Sequence, residues 1–179
     1  MAAVSAKLVM TAVVAVLLAA CSETSTPAPS TSATSSVDSA ERDAAARRQE
    51  SAVKAGKDPA NYRPLTDREF ALIAKDPDAS KGERVIVYGT VTQFDAATGT
   101  TDFRAETGAL PPDQTDSYSQ NAFISAGPNP NAVKDVVKGD RLKMFVEVSG
   151  DWTYNTTLGG AVTVPRFALW IVENLGPAS

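Results

Sequence analysis

Apolar side chains are unevenly distributed along the chain. Almost no large one falls between Cys21 and Tyr62, whereas Leu65 to Leu175 is dense in aromatic and branched aliphatic residues. Only that second stretch can bury a core. It opens on Leu65-Thr66-Asp67-Arg68-Glu69-Phe70. This predicts a capped helix: Thr66 is the N-cap, Glu69 reaches back to it, Leu65 staples onto Phe70, and the helix ends near Lys75. Glu83 to Phe94 is long and β-branched, which predicts a strand partly buried on both faces, with Gly89 marking a bend or bulge. A turn at Asp95–Gly99 leads into Thr100–Thr107, where Phe103 and Ala105 alternate with Asp102, Arg104 and Glu106. Tyr118–Ala126 is a third strand, and Gly127-Pro-Asn-Pro-Asn131 breaks it ahead of a short helix over Ala132–Val137. Leu142, Met144, Val146 and Val148 give the clearest period-two strand. A loop from Asp151 to Gly160, rich in Gly, Asn and Thr, precedes the final strand, Val162–Val172.

The amino-terminal part has a different character. After Lys7, an apolar run from Leu8 to Ala20 contains Thr11 as its one polar residue. It is shorter than the roughly 20 residues that span a bilayer and has the length of a signal-peptide core. It ends in Leu18-Ala19-Ala20-Cys21, which resembles the lipobox of bacterial lipoproteins residue for residue. That resemblance implies cleavage before Cys21, a diacylglycerol on its thiol, and attachment to the extracytoplasmic face of the cell membrane; two acyl chains suffice for stable anchoring. Residues 21–37 are Ser, Thr, Ala and Pro with one charge at Glu23, a composition expected to form an extended, disordered spacer. Asp38 with Glu41 then reads as a capping box before a polar helix of about residues 39–55, ended by Gly56. This helix has no apolar stripe and reads as a solvated stalk. The expected organisation is a leader over 1–20, lipidated cysteine and linker over 21–37, stalk over 38–60, and a folded domain over 61–176.

Strand, hairpin, strand, short helix, strand, strand is the element order of the OB-fold, a five-stranded Greek-key barrel. In addition, Lys81-Gly82-Glu83-Arg84-Val85 recurs approximately as Lys138-Gly139-Asp140-Arg141-Leu142, so the same turn enters the first and fourth strands. The pattern resembles the small OB-fold-like domains of bacterial envelope lipoproteins. The fold class expected is therefore mainly β.

Composition narrows the chemistry. The chain has 179 residues, no histidine and one cysteine. This leaves no Ser-His or Cys-His pair, no histidine zinc site and no intrachain disulfide. A formal net charge of −4 argues against a phosphate-backbone partner, so nucleic acid is set aside as an unlikely ligand. Asp95, Asp102 and Glu106 do not follow calcium-loop spacing, and no metal or cofactor is expected. In OB-folds, ligands meet the face of strands two and three, flanked here by Asp95–Thr101 and Asp151–Gly160. Trp152, Tyr154 and Asn155 in the second loop are binding candidates, or alternatively a lid over the barrel end. Arg104 and Phe145 join them because both fall on the polar parity of their strands; Phe145 has the competing fate of packing beneath a helix.

The functional expectation is a non-enzymatic, membrane-anchored binding or interaction module with an envelope protein or glycan as partner. Two alternatives stand beside it: a phage- or prophage-encoded lipoprotein that excludes superinfecting phage, and an OB-fold binder of nucleic acid or glycan.

Overall fold

The computed structural model describes residues 32–115, 117–156 and 159–178, without the side chains of 32–38. The leader, the lipobox with Cys21, and most of the linker lie outside the described residues. A compact unit covers Glu41–Ser179. Of the preceding unit, Met1–Ala40, the described residues belong to the start of helix α1 (Ser32–Gly56). Asp38 therefore sits within α1 and not at its cap, because helix-compatible Ser, Ala and Thr carry the helix further back than a capping reading allows.

Helix α2 (Asp67–Lys75) begins with the expected capping box. Thr66 Oγ1 accepts from the Glu69 amide at 3.3 Å, and Glu69 Oε2 accepts from the Thr66 amide at 2.8 Å. Leu65, Phe70 and Ile73 are buried together against the barrel.

Five strands follow: β1 (Arg84–Gln93), β2 (Asp102–Gly108), β3 (Gln120–Ser125), β4 (Asp140–Asn155) and β5 (Ala161–Pro177). They close into a barrel in the order β1-β2-β3-β5-β4, with β3 and β5 parallel and the other neighbours antiparallel. This is an OB-fold barrel. Its interior is filled by the inward parity of every strand: Val85, Val87 and Val91 from β1, Phe103 and Ala105 from β2, Ile124 from β3, Leu142, Met144 and Val146 from β4, and Phe167 and Leu169 from β5. Burying side chains of this size contributes roughly 1.5–3 kcal/mol each, which is why the parity of the apolar residues sets the register.

The recurring Lys-Gly-acid turns do enter β1 and β4, with φ of +89° at Gly82 and +94° at Gly139. Gly89 marks a close approach, since a Cβ there would lie 2.6 Å from the Glu106 carbonyl oxygen. The bulge expected at Gly89 falls instead between Val91 and Gln93.

Two elements differ from expectation. The helix over Ala132–Val137 is a single 3₁₀ turn, Pro130–Val133, with Asn129 as its N-cap residue; the Asn129 side chain makes no capping bond and donates to the Trp170 carbonyl at 2.8 Å. The loop from Asp151 to Gly160 is largely sheet: β4 and β5 continue past the barrel as a two-stranded arm. Trp152 pairs with Val164, Thr153 with Thr163, Tyr154 with Val162, and Asn155 with Ala161. The Trp-Thr-Tyr run has high strand propensity, which outweighs the polar, glycine-rich residues that close the hairpin.

A second, smaller apolar cluster lies outside the barrel. Tyr62, Phe145 and Trp170 pack with Val53, Ile86 and Ile171, seating the last turn of α1 on β1, β4 and β5. Gly56 lies against the Trp170 ring, and the Tyr62 hydroxyl donates to the Gly56 carbonyl at 2.6 Å.

Candidate functional site

β2 and β3 turn alternate residues outward, which places Arg104 on β2 directly opposite Phe123 on β3. Phe123 in turn lies opposite Arg166 on β5. The arm brings two further rings to this surface. Directly opposed residues of an antiparallel pair share a side, so Trp152, Tyr154, Val162 and Val164 form one face of the arm and Thr153 and Thr163 the other.

The result is a continuous stack. Trp152 lies on Phe123 with ring centres 4.0 Å apart and planes inclined by 29°. Tyr154 also stacks on Trp152, at 5.2 Å and 28°. The Arg104 guanidinium lies over Tyr154, 3.9 Å from its ring centre, and is 6.0 Å from the Trp152 ring centre. Arg166 stands 5.8 Å from the Phe123 ring centre. Trp152 and Tyr154 are half-buried, and Phe123 is covered by the stack. Among the described residues the Arg104 side chain forms no ion pair or hydrogen bond, and its Nε is buried without a partner, although Asp102 and Glu106 flank it on β2. Stacking alone therefore holds it.

Of the residues singled out from sequence, Trp152, Tyr154 and Arg104 come together here. They cover the outer face of β2 and β3, not the open end of the barrel. Asn155 lies at the exposed end of the arm, opposite Ala161. Phe145 does not join them. It is 4% exposed and meets Tyr62 edge-on at 5.5 Å and 85° beneath the end of α1. Its polar-side parity in β4 is explained by this external cluster. Phe123 and Arg166 were missed by sequence reasoning. The available signal was parity: Phe123 sits between the inward Ala122 and Ile124 and must face out.

The flanking β1–β2 loop is organised by Asp95, whose carboxylate accepts from the Ala97 amide at 2.9 Å. That backbone bond, with a second from the Gln93 side chain, holds the Asp95 carboxyl below its usual range. Asp95 therefore acts as a turn former. A separate cavity of about 270 Å³ lies between α2 and the β2–β3 connection, lined by Phe70, Ala74, Thr107, Tyr118 and Gln120. Its polar groups are largely engaged with the protein itself: Thr107 donates to the Gln120 carbonyl and Tyr118 to the Leu110 carbonyl, at 2.8 and 3.0 Å.

No protein-family model and no curated protein matches the chain. Among solved structures, it is similar to a crystal structure of the mitochondrial single-stranded DNA-binding protein of S. cerevisiae, Rim1, at 13% identity and a TM-score of 0.33, covering 55% of this chain and 99% of that one. A selenomethionine-labelled crystal of the same yeast protein matches at 15% identity and a TM-score of 0.32, with the same coverage. Both are crystals of a single-stranded DNA-binding protein, a ligand class that the net-charge reading of this chain had set aside as unlikely. Net charge averages over the whole chain, whereas the outer face of β2 and β3 locally presents three stacked rings with two guanidinium groups beside them.

Proposed function

We propose that the chain is a lipid-tethered, non-enzymatic binding module that takes an unpaired nucleic-acid strand on the outer face of β2 and β3. The observation that carries this reading is the series Arg166, Phe123, Trp152, Tyr154, Arg104. Interleaved rings and guanidinium groups on one face are the combination that stacks bases and contacts phosphates. Phe123 and Tyr154 both stack on Trp152, and Arg104 lies over Tyr154 beside Trp152. A base therefore enters by displacing Arg104 from Tyr154. The guanidinium then moves to a phosphate, exchanging a cation–ring contact for a charge-assisted hydrogen bond. Asp102 and Glu106 beside Arg104 keep this from being a basic groove, so stacking dominates the affinity. The lipobox supports tethering at Cys21, and the absence of histidine supports a non-enzymatic role.

The test uses a Trp170→Phe variant, in which Trp152 is the one remaining tryptophan. Titration with a short oligodeoxynucleotide should quench Trp152 emission. Two phosphate contacts predict a slope of log K against log salt of about −1.4. Emission unmoved by oligonucleotide, or quenched by a neutral oligosaccharide and not by oligonucleotide, would overturn the reading.

A further inference from the structure

The arm leaves the edge of β4 open. β1 pairs with β4 only as far as Glu147, and the Gly82 amide and Glu83 carbonyl close the ladder at Val148. From Asp151 to Asn155, among the described residues, no strand lies on the side of β4 away from β5. Exposed edges are ordinarily guarded by charge, proline or a covering segment. Elsewhere this fold does so: Arg63 covers the start of β1, its carbonyl accepting from the Ile86 amide at 2.9 Å and its amide donating to the Arg84 carbonyl at 3.2 Å. Such a guard stands only at the base of the arm, where Asp78 and Lys81 lie near Gly150 and Asp151 begins the segment; residues 152–164 include no charged side chain and no proline. Its backbone is also held in place by the Trp152 and Tyr154 stack, so pairing would cost little further ordering.

We propose that this edge is a self-association surface, on which Asp151–Asn155 of a second copy of the chain pairs antiparallel about Thr153. The segment Asp-Trp-Thr-Tyr-Asn is nearly palindromic in chemistry. About Thr153, threonine faces threonine, Trp152 faces Tyr154, and the Asp151 carboxylate faces the Asn155 amide. Aromatic pairs and threonine pairs are among the favourable cross-strand combinations, each contributing roughly 0.2–1 kcal/mol. Parallel pairing in register would instead set Asp151 beside Asp151. The antiparallel pairing makes a continuous sheet β5-β4-β4-β5 and brings Tyr154 of the second copy alongside Trp152, joining two aromatic stacks into one surface. It stands independently of the ligand proposed above.

The test is disulfide trapping in the full-length chain with Cys21→Ser, so that an introduced thiol is the only one. Thr153→Cys should cross-link to itself on mild oxidation. Thr163→Cys, whose native hydroxyl lies 2.7 Å from that of Thr153 on the same side of the arm, should not. In the paired sheet the two copies of residue 163 stand three strand spacings of about 4.8 Å apart, beyond the roughly 7 Å reach of a disulfide. Thr153→Lys, which sets two ammonium groups at the symmetry axis, should convert dimer to monomer in light scattering with the melting temperature retained. A monomeric parent chain, no link at Thr153, or equal linking at both positions would overturn the proposal.

Discussion

The Arg104 guanidinium rests 3.9 Å from the centre of the Tyr154 ring, with its Nε buried and without a hydrogen-bond partner. Nothing but stacking retains it, and a contact of this kind is worth about 0.5–2 kcal/mol. Arg104→Ala should therefore lower the melting temperature only slightly. Its effect on oligonucleotide binding should be larger, with the salt slope falling in magnitude by about 0.7, the contribution of one phosphate. Binding measured at several salt concentrations checks this, and an unchanged slope would mean that Arg104 does not reach the backbone.

Trp152 stacks with both Phe123 and Tyr154. Trp152→Ala should weaken oligonucleotide binding about tenfold or more. It should also destabilise the fold by about 2 kcal/mol, less than a fully buried tryptophan would, because the ring is half-exposed. Trp152→Phe should restore most of the stability and part of the binding.

Gly56 has no room for a side chain. A Cβ there would enter the Trp170 ring, so Gly56→Ala must displace the ring or lift the last turn of α1. The expected cost is about 1–3 kcal/mol, with a red shift of Trp170 emission as the ring loses its cover. A Trp152→Phe background isolates that signal. Unchanged emission and stability would show that the helix end does not need its seat.

Burial pushes the Tyr62 hydroxyl up to about 12 from the ordinary 10.0, and Tyr118 is raised to about 12 for the same reason. The folded chain thus holds these protons more tightly than the unfolded chain does. Stability from them is complete below about pH 10 and is lost as pH rises toward 12. Alkaline unfolding followed by tyrosinate absorbance should fall in that window. Tyr62→Phe, which cannot ionise, should flatten part of the loss while lowering stability at neutral pH through the missing bond to Gly56.

Cys21→Ala should release the protein from membranes, if the lipobox is used as proposed, and leave the melting temperature of the barrel unchanged. Fractionation and calorimetry on the same preparation separate the two effects. Continued sedimentation with membranes would count against a lipid anchor at this residue.

Where interactions are local or strictly alternating, the fold was legible in the sequence. The Thr66–Glu69 capping box needs only four consecutive residues, and the two Lys-Gly-acid turns place β1 and β4 by chemistry contained in the turn. Period-two burial then set which residues of β1, β2 and β4 face the core. The arm was not legible, because its glycines and threonines imitate a loop and its order comes from Trp152 reaching Phe123, 29 positions earlier in the chain. Phe145 shows the converse. Its parity correctly indicated the outside of the barrel, but whether an outward aromatic meets ligand or protein depends on Tyr62 and Trp170, which the pattern within β4 does not encode.

The seating of α1 has a mechanical consequence. A pull on the chain from its amino-terminal side passes along the helix and enters the barrel where Gly56 meets Trp170 and Tyr62, on β1, β4 and β5. β2 and β3, which present Arg104 and Phe123, lie outside that line of load. Force applied through α1 is therefore borne by β1, β4 and β5, while the face formed by β2 and β3 keeps its geometry.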